Sequence, residues 1–142
     1  MSDSNILTEA FGHLEQTQVS YLATIEDDQP RVRAMMLIYH EGKFYYASDS
    51  GDEKVSQVTL NPKIEICVLL GEGDNGGSLR ISGISEFVHN EDTRRNIHGC
   101  IGFIQSFWEN PQDPSFVLLE IKPNEIRYMR PGTMEIKKHV LS

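Results

Sequence analysis

The chain has 142 residues and a formal net charge of −8 at pH 7, with 13 lysines and arginines against 21 aspartates and glutamates. That length can bury a core without metal or disulfide staples, and that charge argues against a general binder of nucleic acid or anionic membrane, whose phosphates need a basic surface. The two cysteines, Cys67 and Cys100, make no disulfide framework and are expected as buried free thiols in a cytoplasmic protein. No basic n-region opens the chain, so no signal peptide is expected. No apolar run approaches the roughly 20 residues needed to cross a bilayer.

In chain order, Leu7, Ala10, Phe11 and Leu14 recur at three and four residues, which predicts an amphipathic helix capped by Ser4 or Asn5. Residues 19–25 (VSYLATI) read as a strand, and EDDQP as a turn with Pro30 before the next strand. Residues 31–39 form that strand. Arg31 and Arg33 lie on one face of it, and both faces turn apolar beyond them, which predicts a central strand covered on both sides. His40, Glu41 and Gly42 make a hairpin loop to a partner strand over 43–48. Residues 52–60 read as a short helix with Val55, Val58 and Leu60 inward, ended by Asn61 and Pro62.

A strand over 63–70, a loop over 72–77 and a strand over 79–89 follow, with a bulge at Gly83. Residues 91–108 have helical spacing through Ile97, Cys100, Ile101, Ile104 and Phe107, weakened by Gly99 and Gly102. Two further strands, 116–121 and 125–130, flank a turn at Pro123 and Asn124. The last ten residues carry no assigned element. Strands that follow one another without a helix between each pair suit a mainly β fold. The expectation is a six- to seven-stranded antiparallel split barrel with helical insertions, one domain over residues 1–142.

The chemistry-bearing residues are few. Gly71, Gly73 and Gly76 match G-x-G-x-x-G, but the strand-like SLRISGISEF follows where the dinucleotide mechanism needs a helix. The histidines are scattered, and neither C-x-x-C nor H-E-x-x-H is present, so no metal site is expected. No serine sits in G-x-S-x-G, and no catalytic acid or base stands out. What remains is the stretch 31–61. Arg31, Arg33 and Lys54 are cations in an acidic chain, and Ser48 and Ser50 are hydroxyls just before a helix start, a suitable combination for a phosphate.

The same stretch resembles the pyridoxamine 5′-phosphate oxidase-like family, the flavin-binding split β-barrels. The matching pieces are YLATIEDDQPRVRAMM and GKFYYASDSGDEKVSQVTLNPKIEICVLL, and FVLLEIKPNEIRYM resembles that family's closing hairpin. The resemblance implies a homodimer with FMN at the subunit interface. It implies that Arg33 and Lys54 contact the FMN phosphate, with Ser48 and Ser50 adding hydroxyl bonds. It puts the backbone of Ala34, Met35 and Met36 along the isoalloxazine ring and Gln57 in reach from the helix. Trp108 or Phe107 then covers the flavin from the partner subunit. The family's Arg-x-His substrate pattern is not found in TMEIKKHVLS, so oxidation of pyridoxamine phosphate itself is not expected, and the general stress protein branch is the better likeness. Three readings follow: a flavin-dependent oxidoreductase on an unidentified small molecule, a flavin-binding stress or sensor protein without turnover, or a barrel holding haem, a deazaflavin or nothing. Haem would draw on His89 or His98.

Overall fold

A computed structural model describes residues 3–141. Its seven strands form one antiparallel sheet in the order β3-β2-β1-β4-β5-β6-β7, and a further β3–β6 pairing closes the first six into a barrel. The strands are β1 (Thr17–Glu26), β2 (Gln29–His40), β3 (Lys43–Asp49), β4 (Lys63–Leu70), β5 (Gly77–Phe87), β6 (Phe116–Met129) and β7 (Ile136–Val140). Four α-helices accompany them among the described residues: α1 (Asp3–Phe11), α2 (Glu53–Leu60), α3 (Glu91–Cys100) and α4 (Gly102–Phe107).

Period-two alternation builds the barrel wall. In β4, Ile64, Ile66, Val68 and Leu70 are buried while Lys63, Glu65 and Leu69 face out. The interior is filled by these residues with Leu22, Leu37, Phe44, Tyr46, Leu79, Ile81, Leu119, Ile121, Ile126 and Tyr128. A second cluster lies outside the barrel. There α3 and α4 lay Ile97, Ile101, Ile104 and Trp108 over Ile38, Tyr45, Phe116 and Leu118.

Several expectations change. Ser4 and Asn5 lie inside α1 and do not precede it. The helical stretch 91–108 is two helices broken at Ile101, whose φ of −111° and ψ of 102° are extended. Cys100 and Phe107 face solvent, as does Leu60, while Gln57 and Val58 form the buried face of α2. The turn at Pro123 is absent, because β6 runs through it as one strand. Part of the unassigned tail is β7, paired with β6 from Glu125↔Val140 to Met129↔Ile136. The bulge at Gly83 is present as a register shift between Ser82 and Gly83. Gly71, Gly73 and Gly76 lie at the β4–β5 hairpin, with Leu70 opposite Gly77, so no helix follows them. Among the described residues no helix is long and apolar enough to cross a membrane.

The strand β2 is covered on both sides at Leu37 and Ile38 but not over the residues before them. Val32 is 70% exposed and Met36 38%, beside Val19 at 60% and Tyr21 at 41% on β1. Val19 lies opposite Met36 and Tyr21 opposite Ala34, so these side chains form one continuous outer face.

One end of the barrel is closed by α1, which buries Ile6 and Ala10 in the core. An ion pair fastens it. Arg130 donates to Glu9 through Nε at 2.7 Å and Nη2 at 2.9 Å, and the Tyr128 hydroxyl donates to the same carboxylate at 2.6 Å. Arg130 first, then Tyr128, lowers the Glu9 carboxyl from 4.5 to about 2. A folded-state pKa below the unfolded value adds stability above the unfolded pKa, and that stability is lost as pH falls through the folded one. Wild type is therefore expected to lose stability relative to Glu9→Gln as pH falls between 4.5 and about 2. Chemical unfolding of both proteins across that range measures it, and parallel acid limbs would contradict the latch.

Candidate functional site

The strands β2 and β3 pair only over Ile38↔Tyr45, Tyr39↔Phe44 and His40↔Lys43. Beyond that short ladder they part. The rest of β2 stays on β1, with Arg33 opposite Leu22 and Met35 opposite Ser20. The rest of β3 stays on β6, with Ser48 opposite Val117 and Asp49 opposite Phe116. The split between them opens a cavity of about 450 Å³ lined by Arg33, Ala34, Met35, Ala47, Ser48, Asp49, Asp52, Lys54, Phe103, Phe107 and Trp108. Its size suits a small molecule or cofactor.

The polar end is built around Arg33. Its Nη1 donates to Leu22 O at 3.1 Å and Thr24 Oγ1 at 2.8 Å, and its Nη2 donates to Gln57 Oε1 at 2.8 Å. Thr24 Oγ1 donates in turn to the same Gln57 oxygen at 2.5 Å. All three acceptors are uncharged, and they use three of the five N–H donors. The Nε edge of the guanidinium is thus left for two oxygens of an anion. Burial lowers the pKa of Arg33, with Glu53 opposing, and a guanidinium stays charged regardless. A half-buried cation with neutral partners is a strong anion attractor.

Lys54 and Ser48 complete the polar end. Lys54 donates from Nζ to Asp52 Oδ2 at 2.8 Å, and Ser48 donates from Oγ to the same oxygen at 2.9 Å. Opposite lies an apolar wall of Met35, Ala47, Phe103, Phe107 and Trp108. Trp108 is held by His98, whose Nε2 donates to its carbonyl oxygen at 2.6 Å, and by Phe116, whose ring centroid is 5.2 Å away. Phe107 is 73% exposed at the rim. Met35 is held from behind: Tyr46 OH donates to Ser20 Oγ at 2.6 Å, and Ser20 donates to Met35 O at 2.9 Å.

Of the residues singled out in the sequence, Arg33, Ala34, Met35, Ser48, Lys54 and Trp108 meet in this cavity. The other three do not line it. Alternation turns Met36 onto the outer face opposite Val19. Ser50 is exposed, and its N–H donates to Ser115 O at 2.9 Å. Gln57 is buried behind Arg33 and reaches the cavity only through it. Arg31 leaves the cluster too, paired with Glu26 at 2.9 Å on the surface. Trp108 and Phe107 line this cavity within their own chain. Asp49, Asp52 and Phe103 were not foreseen. No histidine lines this cavity, and the Nε2 of His98 is taken by Trp108. His89 lies at a different depression, beside Phe87 and Arg94.

A family model described as pyridoxamine 5′-phosphate oxidase matches residues 7–130. General stress protein 26 of Bacillus subtilis (strain 168) is 26% identical over 136 residues, covering 93% of this chain and 94% of that protein. The crystal structure of General Stress Protein 26 from Bacillus anthracis str. Sterne aligns with a TM-score of 0.76 at 20% identity, covering 96% of this chain and 99% of that one. The structure of a haem-binding protein from Mycobacterium smegmatis aligns with a TM-score of 0.73 at 12% identity, covering 88% of this chain and 53% of that one. At those identities the two structural likenesses speak for the fold.

Proposed function

The chain belongs to the pyridoxamine 5′-phosphate oxidase family, and on that premise we propose that it binds FMN in the split between β2 and β3 and acts as a flavin-dependent oxidoreductase on an unidentified small molecule. One observation carries the reading: a single cavity joins Arg33, Ser48 and Lys54 at one end to Ala34, Met35, Phe103, Phe107 and Trp108 along its wall. FMN needs both ends. Its phosphate asks for cations and hydroxyls, and its ring asks for apolar and aromatic surface. The free Nε edge of Arg33 fits two phosphate oxygens, so the donor set suits the group. Bound flavin would supply the hydride chemistry. The protein's part is placement. Leu22, Thr24 and Gln57 fix the guanidinium, Ser20 and Tyr46 fix the Met35 backbone, and the aromatic wall excludes water.

The bare apolar face around Val19, Tyr21, Val32 and Met36 supports a homodimer, since such a patch on a soluble chain normally marks an interface. Ala34 is exposed on that face and also lines the cavity, which would set the cofactor beside the dimer contact. Sedimentation should give twice the 16.1 kDa chain mass, and a monomer at micromolar concentration would contradict this. FMN binding itself is tested by the visible spectrum of the purified protein with and without added FMN. Reduction of that flavin by NAD(P)H and reoxidation by an added acceptor distinguishes an oxidoreductase from a flavin store. A protein that takes up no FMN contradicts the reading.

A further inference from the structure

The carboxylate of Asp52 stands among the donors that an anionic ligand would use. Its Oδ2 accepts from Ser48 Oγ at 2.9 Å and from Lys54 Nζ at 2.8 Å, and all three residues line the cavity. Those two contacts are the ones expected for a phosphate oxygen. Lys54 first, then Ser48, lowers the Asp52 carboxyl below its ordinary range, so it is charged at neutral pH.

The backbone says that this is not the usual place for such a group. Asp52 is the N-cap residue of α2, with extended φ of −71° and ψ of 144°, yet its side chain makes no capping bond. Aspartate at an N-cap ordinarily turns to the free N–H groups of the first helical turn. Here it turns to the cavity instead. The carboxylate therefore has two places to be, a few torsional degrees of freedom apart: over Ser48 and Lys54, or on the helix end. Its side chain is 48% exposed against 12% for Lys54, so it can leave while the lysine stays.

We propose that Asp52 is an internal competitor for the anion subsite, holding Ser48 and Lys54 until a phosphorylated ligand displaces it to the N-cap of α2. The identity of that ligand as FMN rests on the reading above. A dianionic phosphate and a fixed carboxylate cannot share the two donors without like-charge repulsion. Displacement removes the repulsion and uses the carboxylate where the helix lacks a cap. The affinity for phosphate is lowered by the strength of the Asp52 contacts, so the cofactor is held exchangeably. A phosphate-free ligand resting on the aromatic wall does not meet this competition. Asp52 thus sets how strongly the site discriminates phosphorylated from unphosphorylated flavin.

The test titrates FMN, riboflavin and inorganic phosphate into full-length apoprotein of wild type, Asp52→Asn, Asp52→Ser and Asp28→Asn. Asparagine and serine both cap helices well, so either Asp52 variant keeps the start of α2. Asp28→Asn is the net-charge control: Asp28 is exposed in the turn between β1 and β2 and does not line the cavity. Both Asp52 variants should bind FMN about tenfold tighter while riboflavin changes by less than about twofold. Asp28→Asn should stay near wild type. Equal or weaker FMN binding by the Asp52 variants overturns the proposal and leaves the FMN reading standing. An equal gain in Asp28→Asn also overturns it, by assigning the effect to net charge. Failure of wild type and all variants to bind either FMN or phosphate overturns the proposal and the FMN reading together.

Discussion

Replacing both Arg33 and Lys54 with alanine is expected to weaken FMN binding by about 100-fold or more. A hydrogen bond to a charged group contributes about 1.5–3 kcal/mol, and two at the lower figure give about 3 kcal/mol. At about 1.4 kcal/mol per tenfold, that exceeds 100-fold. The two losses differ in kind. Lys54 must first release Asp52, so part of its contribution is already spent at 2.8 Å on that carboxylate. Arg33 has no carboxylate to release, and its free edge is fixed in direction by Leu22, Thr24 and Gln57. Arg33→Ala alone should therefore cost more than Lys54→Ala alone. Arg33→Ala also removes one donor each from Leu22 O, Thr24 Oγ1 and Gln57 Oε1, all on buried residues, so its thermal stability should fall as well. Riboflavin separates the two effects. A specific loss of phosphate grip lowers the FMN-to-riboflavin affinity ratio, whereas general loosening lowers both affinities together. Unchanged FMN affinity in the folded double variant would refute the phosphate assignment.

Gly83→Val is expected to be severely destabilising although it lies away from the cavity. A Cβ at Gly83 would sit 2.3 Å from Lys122 O and 3.0 Å from Pro123 Cα, with backbone on both counts. Backbone within a paired strand cannot step aside as a flexible side chain can. The β5–β6 ladder would have to open at its bulge, between Ser82 and Gly83. Overpacking of this kind costs about 1–3 kcal/mol, and more where the neighbours cannot relax. Urea unfolding should show a large drop in midpoint, while the fraction that remains folded keeps its FMN affinity. An unchanged midpoint would mean that the register shift tolerates a side chain.

The sequence carried the wall of the barrel better than its ends. Strict alternation in KIEICVLL assigns β4 because Ile64, Ile66, Val68 and Leu70 all face the core. Pro123 and Asn124 misled for a local reason. One edge of β6 pairs β3 up to Ile121 and β7 only from Glu125, so that edge is unpaired at Pro123, where a missing N–H costs the ladder little. The strand β7 gave little signal because its apolar residues, Ile136 and Val140, stay exposed. At the site, Arg33, Ala34, Met35, Ser48, Lys54 and the distant Trp108 are legible in the sequence, whereas Asp49 and Asp52, beside Ser48 and Lys54, are not. Phe103 reaches the cavity only because α4 folds back over the outside of β3 and β6, and no local pattern encodes that. Met36 was drawn in by its neighbours, although alternation places it on the opposite face from Met35. Gln57 is buried and accepts from Arg33, an arrangement that helix spacing alone does not indicate.

Trp108 provides the most direct test of the whole account. It is the single tryptophan of the chain and forms part of the cavity wall. FMN titrated into the apoprotein, followed by tryptophan emission, should give a saturable quench, shifted to much higher FMN concentration in the Arg33→Ala, Lys54→Ala double variant. Emission that declines only in proportion to added dye, identically in wild type and the double variant, would contradict a flavin seated between the Arg33 edge and the Trp108 wall.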